Sequence, residues 1–459
     1  MSGLAVDVDS SEIVPLVDEG LGNSAYLVPL GDGRALVVDP SRNPAPYLEL
    51  AQRLNLRIAF AVETHLHADF VSGSRELAAS GAAILAPAAS HLATSYRALE
   101  DGEEVDLCGL TLRALATPGH TPEHLAYLLL DGTQPLVLFS GGAVLPGGAA
   151  RPDLIGAEQT LPLAHQLYRS AHQRLRGLPD DLPVYPTHGA GSFCSAGTDG
   201  PRTTTLGRER QDSLLFTAPA EDAFVRTFLD GLGTYPPYFL RLRTLNQRGA
   251  RLYGVKPPEL ARLSADEFRR QQAAGAIVID VRPFVDFAHG HLPAAVSIAL
   301  RPAFASWLGW IAPAERPLVF VVAADQDERD LVEQCLKIGY ENLVGVLAGG
   351  IDAWQAAGLP VSTIAIRQVN EDPQATPLDV RQANEWASGH IPGAQHVELG
   401  RVMAAAAAIP AGPLTVYCGH GERAMTAASL LEGQGRGSLA VLDGGFDAWR
   451  SANRPIALG

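Results

Sequence analysis

The sequence predicts a multidomain α/β protein, and three observations support that fold class. The chain has 459 residues, whereas an average domain has about 150. Hydrophobic residues make up 47% and charged residues 19%, so every part has enough apolar side chains for a packed core. The second half repeats itself, because residues 278–295 match residues 377–394. We therefore expect one N-terminal domain followed by a duplicated domain.

The repeat also indicates the fold of the duplicated domain. Asp280 and Asp379 lie 99 positions apart, and "LAGGIDAW" (347–354) recurs as "LDGGFDAW" (442–449). Each copy alternates strand and helix patterns, which predicts a small α/β domain around a parallel sheet. The consecutive prolines of "VKPPEL" resist regular structure and mark the best boundary. The expected domains are 1–255, 256–365 and 366–459.

Charge and cysteine usage limit the possible partners and compartments. The net charge is −15, which argues against nucleic acid and anionic membranes, since both attract cationic surfaces. No apolar run reaches the ~18 residues of a membrane span. The first residues, "MSGLAVDVDSSEIV", lack the basic and apolar regions of a secretory signal. Widely spaced cysteines without a CxxC pair indicate free thiols and a cytoplasmic location. These cysteines are Cys108, Cys194, Cys335 and Cys418.

The N-terminal domain contains a candidate metal site. In "THLHADF", His65, His67 and Asp69 follow a buried strand at positions i, i+2 and i+4. His120 in "TPGHTPEH" and His188 in "VYPTHGAGS" follow other strands. Neutral imidazoles and carboxylates that converge from several loops are the usual ligands of a protein-bound metal. The alternative is a hydrogen-bonded polar cluster, or histidines on a surface loop, without an ion.

This ordered set of motifs resembles the metallo-β-lactamase fold, an αββα sandwich with ligands on loops at one edge. The "ETHxHADxxSG" form, the "GAGSxC" after the last histidine, the "TTTLGRER" segment and the duplicated domain resemble one branch. That branch is the persulfide dioxygenases fused to rhodanese domains, and the resemblance covers nearly the whole chain. It implies a mononuclear non-haem iron held by His65, His120 and an aspartate.

Two positions depart from the pattern of this family. Phe70 stands where the fold has a histidine, which removes only a ligand of a second metal position. Gly142 stands where the aspartate is expected, so the two-histidine, one-carboxylate set is incomplete. Restoring it by Gly142→Asp is expected to raise iron occupancy. The remaining expectation is one iron or zinc per chain in a three-histidine pocket, with two outer side chains or a second site. The pocket histidines are His65, His67 and His120, and the outer side chains are Asp69 and His188.

The second copy contains a candidate nucleophile. In "LTVYCGHGERAMTAASLL" an apolar strand runs into Cys418, and a glycine-containing loop then leads into a helix. Backbone N–H groups and a helix N-terminus at such a loop stabilise a thiolate, and Arg423 can hold an anionic sulfur compound. The Cys-x-x-Gly-x-Arg loop resembles that of an active rhodanese domain, which implies that Cys418 accepts a sulfane sulfur as a persulfide. The alternative is a buried inert cysteine. The loop residues are Gly419, His420, Gly421 and Glu422.

The first copy lacks this chemistry. In "PLVFVVAADQDERDLVEQCLKIGY", Val322 or Ala323 falls where the cysteine is expected. Cys335 lies further on, inside a helical pattern with apolar neighbours, which indicates a core position. We expect a catalytically silent rhodanese fold. The full prediction is a metallo-β-lactamase αββα sandwich followed by two rhodanese-like α/β domains with parallel sheets.

Several functions remain open at this point. The first hypothesis is a sulfur-metabolism enzyme that transfers sulfane sulfur through Cys418 and oxidises low-molecular-weight persulfides to sulfite or thiosulfate at the metal site. Two others keep only part of this chemistry: a sulfurtransferase with a non-catalytic metal domain, and a persulfide carrier or sensor. A glyoxalase II-type hydrolase is disfavoured, because Phe70 and Gly142 damage its two-metal site. The expected partners are small-molecule thiols and persulfides, thiosulfate and sulfite, and the resemblance implies a homodimer or homotetramer.

Overall fold

The computed structural model describes residues 12–195, 200–371 and 375–458. The chain divides into two compact units, Met1–Pro257 with Leu336–Gly339, and Pro258–Cys335 with Tyr340–Gly459. The boundaries at 255/256 and 365/366 stay predictions. Residues 1–11, which bear on the secretory signal, lie outside the described ranges. Within those ranges no helix combines the length and the apolar character that crossing a bilayer requires.

The first unit contains two six-stranded mixed sheets. In the first sheet the strands follow one another in chain order: β1 (Val14–Asp18), β2 (Asn23–Pro29), β3 (Arg34–Val38), β4 (Arg57–Val62), β5 (Ala83–Pro87) and β6 (Arg97–Leu99). The second sheet has the order β12-β11-β10-β9-β8-β7. Its strands are β7 (Glu104–Asp106), β8 (Leu110–Ala116), β9 (Leu125–Asp131), β10 (Gln134–Gly141), β11 (Pro183–Pro186) and β12 (Thr204–Thr205).

Apolar side chains fill the space between these two sheets. Tyr26 and Val38 of the first sheet pack in one buried cluster with Leu112, Leu129 and Phe139 of the second. Strands β2 and β3 are almost wholly buried, which is typical of strands covered on both faces.

Helices cover both outer faces of the sheet pair. Tyr47 and Leu50 pack on the first sheet, while Leu167 and Phe224 pack on the second. The result is the predicted αββα sandwich, which is confirmed. The helices of this unit are α1 (Ala45–Arg53), α2 (Ser74–Ala79), α3 (Ala157–Arg169), α4 (Leu206–Asp212), α5 (Leu214–Thr217), α6 (Glu221–Asp230) and α7 (Phe239–Arg248).

The second unit contains two five-stranded parallel sheets of identical topology. The third sheet has the order β13-β17-β16-β14-β15, from β13 (Arg262–Leu263), β14 (Ile277–Asp280), β15 (Val296–Ser297), β16 (Leu318–Val321) and β17 (Leu343–Leu347). The fourth has the order β18-β22-β21-β19-β20, from β18 (Ala365–Arg367), β19 (Thr376–Asp379), β20 (Gln395–His396), β21 (Leu414–Tyr417) and β22 (Leu439–Leu442). The predicted duplication and parallel pairing are confirmed.

Helices alternate with these strands. In the first copy they are α8 (Ala265–Ala273), α9 (Phe284–His289), α10 (Phe304–Ile311), α11 (Glu328–Lys337) and α12 (Gly350–Ala356). In the second copy they are α13 (Ala383–Ala387), α14 (Val402–Ala405), α15 (Glu422–Gly433) and α16 (Gly445–Ser451).

The repeated Asp-x-Arg motif fastens the same loop in both copies. Arg282 pairs with Asp280 at 2.6 Å and donates to the carbonyl of Gly290 at 2.8 Å. Arg381 pairs with Asp379 at 2.6 Å and donates to the equivalent carbonyl at 2.7 Å. All four charged side chains are nearly inaccessible. The motif therefore holds the ends of β14 and β19 to the glycines that precede His291 and His390.

Candidate functional site

The loop after β4 carries the first two histidines and is fixed by a distant helix. The amide Nδ2 of Asn246, on α7, donates to the carbonyls of His67 at 2.8 Å and Phe70 at 2.9 Å. Its Oδ1 accepts from the backbone N of Ser72 at 2.9 Å. This side chain thereby holds three backbone groups of the loop, and sequence reasoning did not identify it.

Five buried imidazoles converge in the first unit, two more than the predicted pocket contains. The ring of His65 lies at the centre of the group. Its centroid lies 4.2 Å from that of His67, 4.7 Å from that of His120, 5.1 Å from that of His124 and 5.3 Å from that of His188.

The nitrogen atoms of three of these rings are available to a metal ion, and two of them have the spacing of ligands on one ion. His65 Nε2 and His188 Nε2 are 3.3 Å apart, and two nitrogens at 2.0–2.1 Å from one tetrahedral ion are separated by about 3.3 Å. His120 Nδ1 bonds to the carbonyl of Arg151 at 2.7 Å, while its buried Nε2 has no hydrogen-bond partner among the described residues. Burial, and then the neighbouring imidazoles, lower the pKa of His65 and of His120 well below the usual value. Both rings are therefore neutral, as a metal ligand must be.

His67 has a different environment. Its Nε2 lies 3.0 Å from Glu63 Oε2 and 3.2 Å from Asp39 Oδ1. Burial acts to lower the pKa of His67, but these two carboxylates outweigh it and raise the pKa to about 10. Only Nδ1, which has no partner in the part of the chain that the structure describes, remains open to an ion. Phe70 stacks on the ring at 4.2 Å, so an apolar side chain occupies this side.

Among the described residues, the possible metal ligands form three overlapping groups. Each residue contributes one ligand atom, and the ligand atoms of a group all lie within 4.8 Å of one another. The groups are His65, His67 and His188; His120, His188 and Cys194; and Asp39, Glu63 and His67. The predicted trio is split between the first two groups, and His188 belongs to both. Asp69 lies in an outer position, since its Oδ2 accepts from Asn23 at 2.9 Å and lies 3.2 Å from His188 Nδ1.

Gly142 leaves no room for the carboxylate of the family pattern. A Cβ at this position would lie 2.6 Å from His120 Cδ2 and 2.9 Å from Ala150 Cβ. The expectation that Gly142→Asp raises iron occupancy stays a prediction, and it requires His120 and Ala150 to shift. The backbone N of Gly142 donates to His124 Nε2 at 2.9 Å, and burial lowers the pKa of His124 to about 4. His124 is a neutral acceptor that fixes this turn, and the second histidine of "TPGHTPEH" was the missed signal.

Cys194 is the other missed member of this cluster. It is fully buried, its backbone N donates to Ser192 Oγ at 3.2 Å, and its carbonyl accepts from Arg151 N at 2.9 Å. Burial, and then the Asp69 carboxylate, raise the pKa of the thiol well above its usual value. The available signal was the last residue of "GAGSFC".

Cys418 lies between β21 and α15, as its motif indicates. Its Sγ accepts a hydrogen bond from the backbone N of Gly421 at 3.1 Å. Its carbonyl accepts from Phe446 N at 2.7 Å, and a Cβ on Gly445 would collide with that carbonyl. The repeated GG turn therefore permits close approach of α16 to the cysteine loop.

Arg423 is oriented by a partner that the sequence did not reveal. Its guanidinium donates to both Glu385 oxygens, at 2.6 and 2.8 Å. Burial acts to lower the pKa of Arg423, but Glu385 and Cys418 outweigh it and raise the pKa. The same guanidinium lies over the Trp307 ring at 5.5 Å. A fixed positive charge therefore lies beside the cysteine loop.

Residues of the first copy also contact the Cys418 loop. A Cβ on Gly421 would lie 2.8 Å from Phe284 Cζ, so the aromatic ring packs directly on the glycine. Arg301 lies 3.9 Å from Glu422. His420 is exposed and lies 3.1 Å from Asp447.

In the first copy itself, Val322 occupies the cysteine position. It directly follows β16, and Gly350 approaches its carbonyl as Gly445 approaches that of Cys418. The backbone N of Ala323 donates to Gln326 Oε1 at 2.9 Å, so a side chain already uses this donor. Cys335 is buried in α11, where burial, and then Asp330, raise the pKa of its thiol.

Comparison with known proteins places these domains in families. The metallo-β-lactamase superfamily matches residues 17–188, and the rhodanese-like domain matches residues 264–357 and 365–452. The human mitochondrial persulfide dioxygenase ETHE1 is 31% identical over 173 residues, which are 37% of this chain and 64% of the human protein. The chain thus spans less than two thirds of that relative. A hydroxyacylglutathione hydrolase from Xanthomonas campestris pv. campestris (strain B100) is 32% identical over 233 residues, which are 50% of this chain and 85% of that enzyme.

One solved structure matches most of the chain. A crystal structure of a metallo-β-lactamase from Staphylococcus aureus subsp. aureus COL aligns with a TM-score of 0.66 and 26% identity, covering 74% of this chain and 99% of that one. Together with the domain matches, this shows which domains the chain contains. A metallo-β-lactamase-superfamily domain precedes two rhodanese-like domains, which is the domain order of the persulfide dioxygenase–rhodanese fusions that the sequence motifs resemble.

Proposed function

We propose that the protein is a sulfurtransferase of sulfur metabolism that carries sulfane sulfur as a persulfide on Cys418. The observation that supports this most is the Cys418 loop, in which Gly421 N donates to Sγ. The loop leads into the twelve-residue helix α15, whose N-terminus favours negative charge. Arg423, held by Glu385, adds a positive charge for an anionic donor such as thiosulfate.

The proposed reaction proceeds in two displacements. The Cys418 thiolate attacks the outer sulfur of thiosulfate, a new S–S bond forms, the S–S bond of thiosulfate breaks, and sulfite leaves with the electron pair. A thiolate acceptor then attacks the outer sulfur of the persulfide and releases Cys418 as a thiolate again. Neither step needs an external oxidant or reductant. The N–H of Gly421 stabilises the sulfur anion before and after transfer.

A second candidate activity is the oxidation of low-molecular-weight persulfides in the N-terminal domain. Two observations support binding of iron or zinc there: His120 Nε2 has no hydrogen-bond partner among the described residues, and the Nε2 atoms of His65 and His188 are 3.3 Å apart. An iron ion there would activate oxygen, so that a persulfide, oxygen and water give a thiol and sulfite. The sulfite can accept sulfur from the Cys418 persulfide and form thiosulfate. Gly142 weighs against this activity, because the carboxylate expected beside iron is absent.

The test of the transferase uses the full chain with thiosulfate and glutathione. We expect the Cys418 peptide to gain one sulfur, ~32 mass units, and turnover to continue while acceptor remains. Persulfide formation without turnover would identify a carrier or sensor instead. Oxygen uptake with glutathione persulfide, measured on iron-loaded protein, tests the second activity. Hydrolysis of a hydroxyacylglutathione would instead support a glyoxalase II-type hydrolase.

Location and assembly complete the proposal. Cys108, Cys194, Cys335 and Cys418 are all free, as in a reducing cytoplasm. Small thiols, persulfides, thiosulfate and sulfite are the proposed partners. A homodimer or homotetramer is the proposed assembly, which sedimentation would test.

A further inference from the structure

We propose that Cys194 is a thiolate ligand of the N-terminal metal ion, together with His120 and His188, and replaces the carboxylate that Gly142 cannot supply. This inference deepens the metal part of the proposed function and rests on metal binding there. It does not depend on sulfur transfer by Cys418.

The first argument is the convergence of donor atoms. One ligand atom each of His120, His188 and Cys194 lies within 4.8 Å of the other two, and all three residues are buried. The Arg151 carbonyl engages His120 Nδ1, so the unpartnered Nε2 is the atom available for coordination. His188 Nδ1 is held by Asn23 at 3.1 Å, which leaves Nε2 facing His65. Outer bonds of this kind are typical of metal-binding imidazoles.

The second argument is that two consecutive residues, Ala150 and Arg151, connect Gly142 to Cys194 by backbone hydrogen bonds. Ala150 N donates to the carbonyl of Gly142 at 2.9 Å, and Arg151 N donates to the carbonyl of Cys194 at 2.9 Å. The carbonyl of Arg151 in turn holds His120. The ring of His120 and the side chain of Ala150 fill the space beside Gly142. An anionic ligand must therefore come from another direction, and Cys194 provides one.

The third argument concerns the kind of metal. Two imidazoles and one thiolate, from His120, His188 and Cys194, form a ligand set of the kind that binds zinc. Two histidines and one carboxylate are instead the ligand set of iron sites that react with oxygen. The ion displaces the thiol proton when it binds. The thiolate in the ligand set thus favours zinc over iron.

The direct test is X-ray absorption at the zinc edge, on full-length protein loaded with one equivalent of zinc. We expect one sulfur scatterer at about 2.3 Å and nitrogen scatterers at about 2.0–2.1 Å. Only nitrogen and oxygen scatterers, or no zinc bound by the wild-type chain, would overturn the proposal. This measurement requires no variant, so it does not depend on how a substitution affects folding.

Variants separate Cys194 from the other thiols. With Co(II) as the probe, the thiolate-to-metal charge-transfer band should be present in wild type and in Cys335→Ser, and absent in Cys194→Ser. Zinc affinity of Cys194→Ser should fall by more than about 100-fold, whereas Asp69→Asn, an outer partner, should lose roughly 10–100-fold and keep the band. Cys194→Asp should retain ion binding without the band. Retention of the band in Cys194→Ser would contradict the assignment.

The same preparations also distinguish this inference from the proposed transferase. Thiosulfate-dependent transfer should be unchanged in Cys194→Ser, because Cys418 lies in the other unit. A missing sulfur scatterer with normal transfer would remove the Cys194 inference alone. Normal zinc–sulfur coordination without transfer would remove the transferase alone.

Discussion

The two rhodanese-like copies share a framework and differ in chemistry. Their sheets have the same strand order, and each has a buried Asp-x-Arg pair at 2.6 Å. Each also brings a glycine of the GG turn against the residue that follows its central strand. That residue is Val322 in one copy and Cys418 in the other. The comparison teaches that the fold depends on the pairs and turns, whereas the chemistry depends on one loop that can change without disturbing them.

The largest effect should come from removing the nucleophile of the second copy. Cys418→Ser should lower thiosulfate sulfurtransferase activity by about 1,000-fold or more, because serine forms no persulfide. The assay is release of sulfite from thiosulfate with a thiol acceptor. The matched control is Cys335→Ser, a buried thiol of the first copy, which should keep nearly full activity. Sulfur transfer that survived in Cys418→Ser would show that the second copy is not the catalytic one.

Breaking the shared framework should affect both copies about equally. Asp280→Asn and Asp379→Asn each leave a buried arginine without its charge partner, which costs about 3–5 kcal/mol of unfolding free energy. Hydrogen exchange in peptides of β14 and β19 measures this locally. A large loss in one copy and none in the other would show that the frameworks are not equivalent.

Motifs of adjacent residues predicted much of the fold and of the cysteine site. The residues that the sequence did not reveal are those that act through contacts between distant segments. Cys418 and Gly421 are three residues apart, so their pattern is visible in the sequence. Glu385 meets Arg423 across 38 positions, and Asn246 meets the carbonyl of His67 across 179. Such pairs form only when packing brings distant segments together. The sequence shows that position 142 is a glycine. That His120 crowds this glycine depends on long-range packing, which motif spacing does not reveal.

The next effect should come from changing Arg423, the positive charge beside the Cys418 loop. Arg423→Lys should lower transfer about 10–100-fold, equivalent to about 1.4–2.7 kcal/mol. Lysine keeps the charge but cannot bond both oxygens of Glu385 as the guanidinium does. The loss should fall mainly on KM for thiosulfate, measured by steady-state kinetics. An unchanged KM would show that this guanidinium does not hold the donor.

A smaller effect should appear at acid pH. Burial acts to raise the pKa of Glu385, but Arg423 outweighs it and lowers that pKa. A carboxylate with a lowered folded-state pKa stabilises the fold above its unfolded value of about 4.3, and this contribution is lost as pH falls through the folded value. Glu385→Gln should therefore unfold at a melting temperature that depends less on pH below about 4.3. Equal pH dependence of both proteins would show that the pair contributes nothing to stability.

The smallest effect should come from giving the first copy a cysteine. Val322→Cys places a thiol at the equivalent strand end, yet we expect no measurable transfer when Cys418→Ser is also present. Asp325 stands three residues after the new thiol, where the second copy has Gly421, and Asp327 stands five residues after it, where the second copy has Arg423. A carboxylate there repels thiosulfate and disfavours a thiolate. Sulfite release by this double variant would show that a strand-end thiol is sufficient. Its absence would leave the loop donors and the arginine as the difference between the copies.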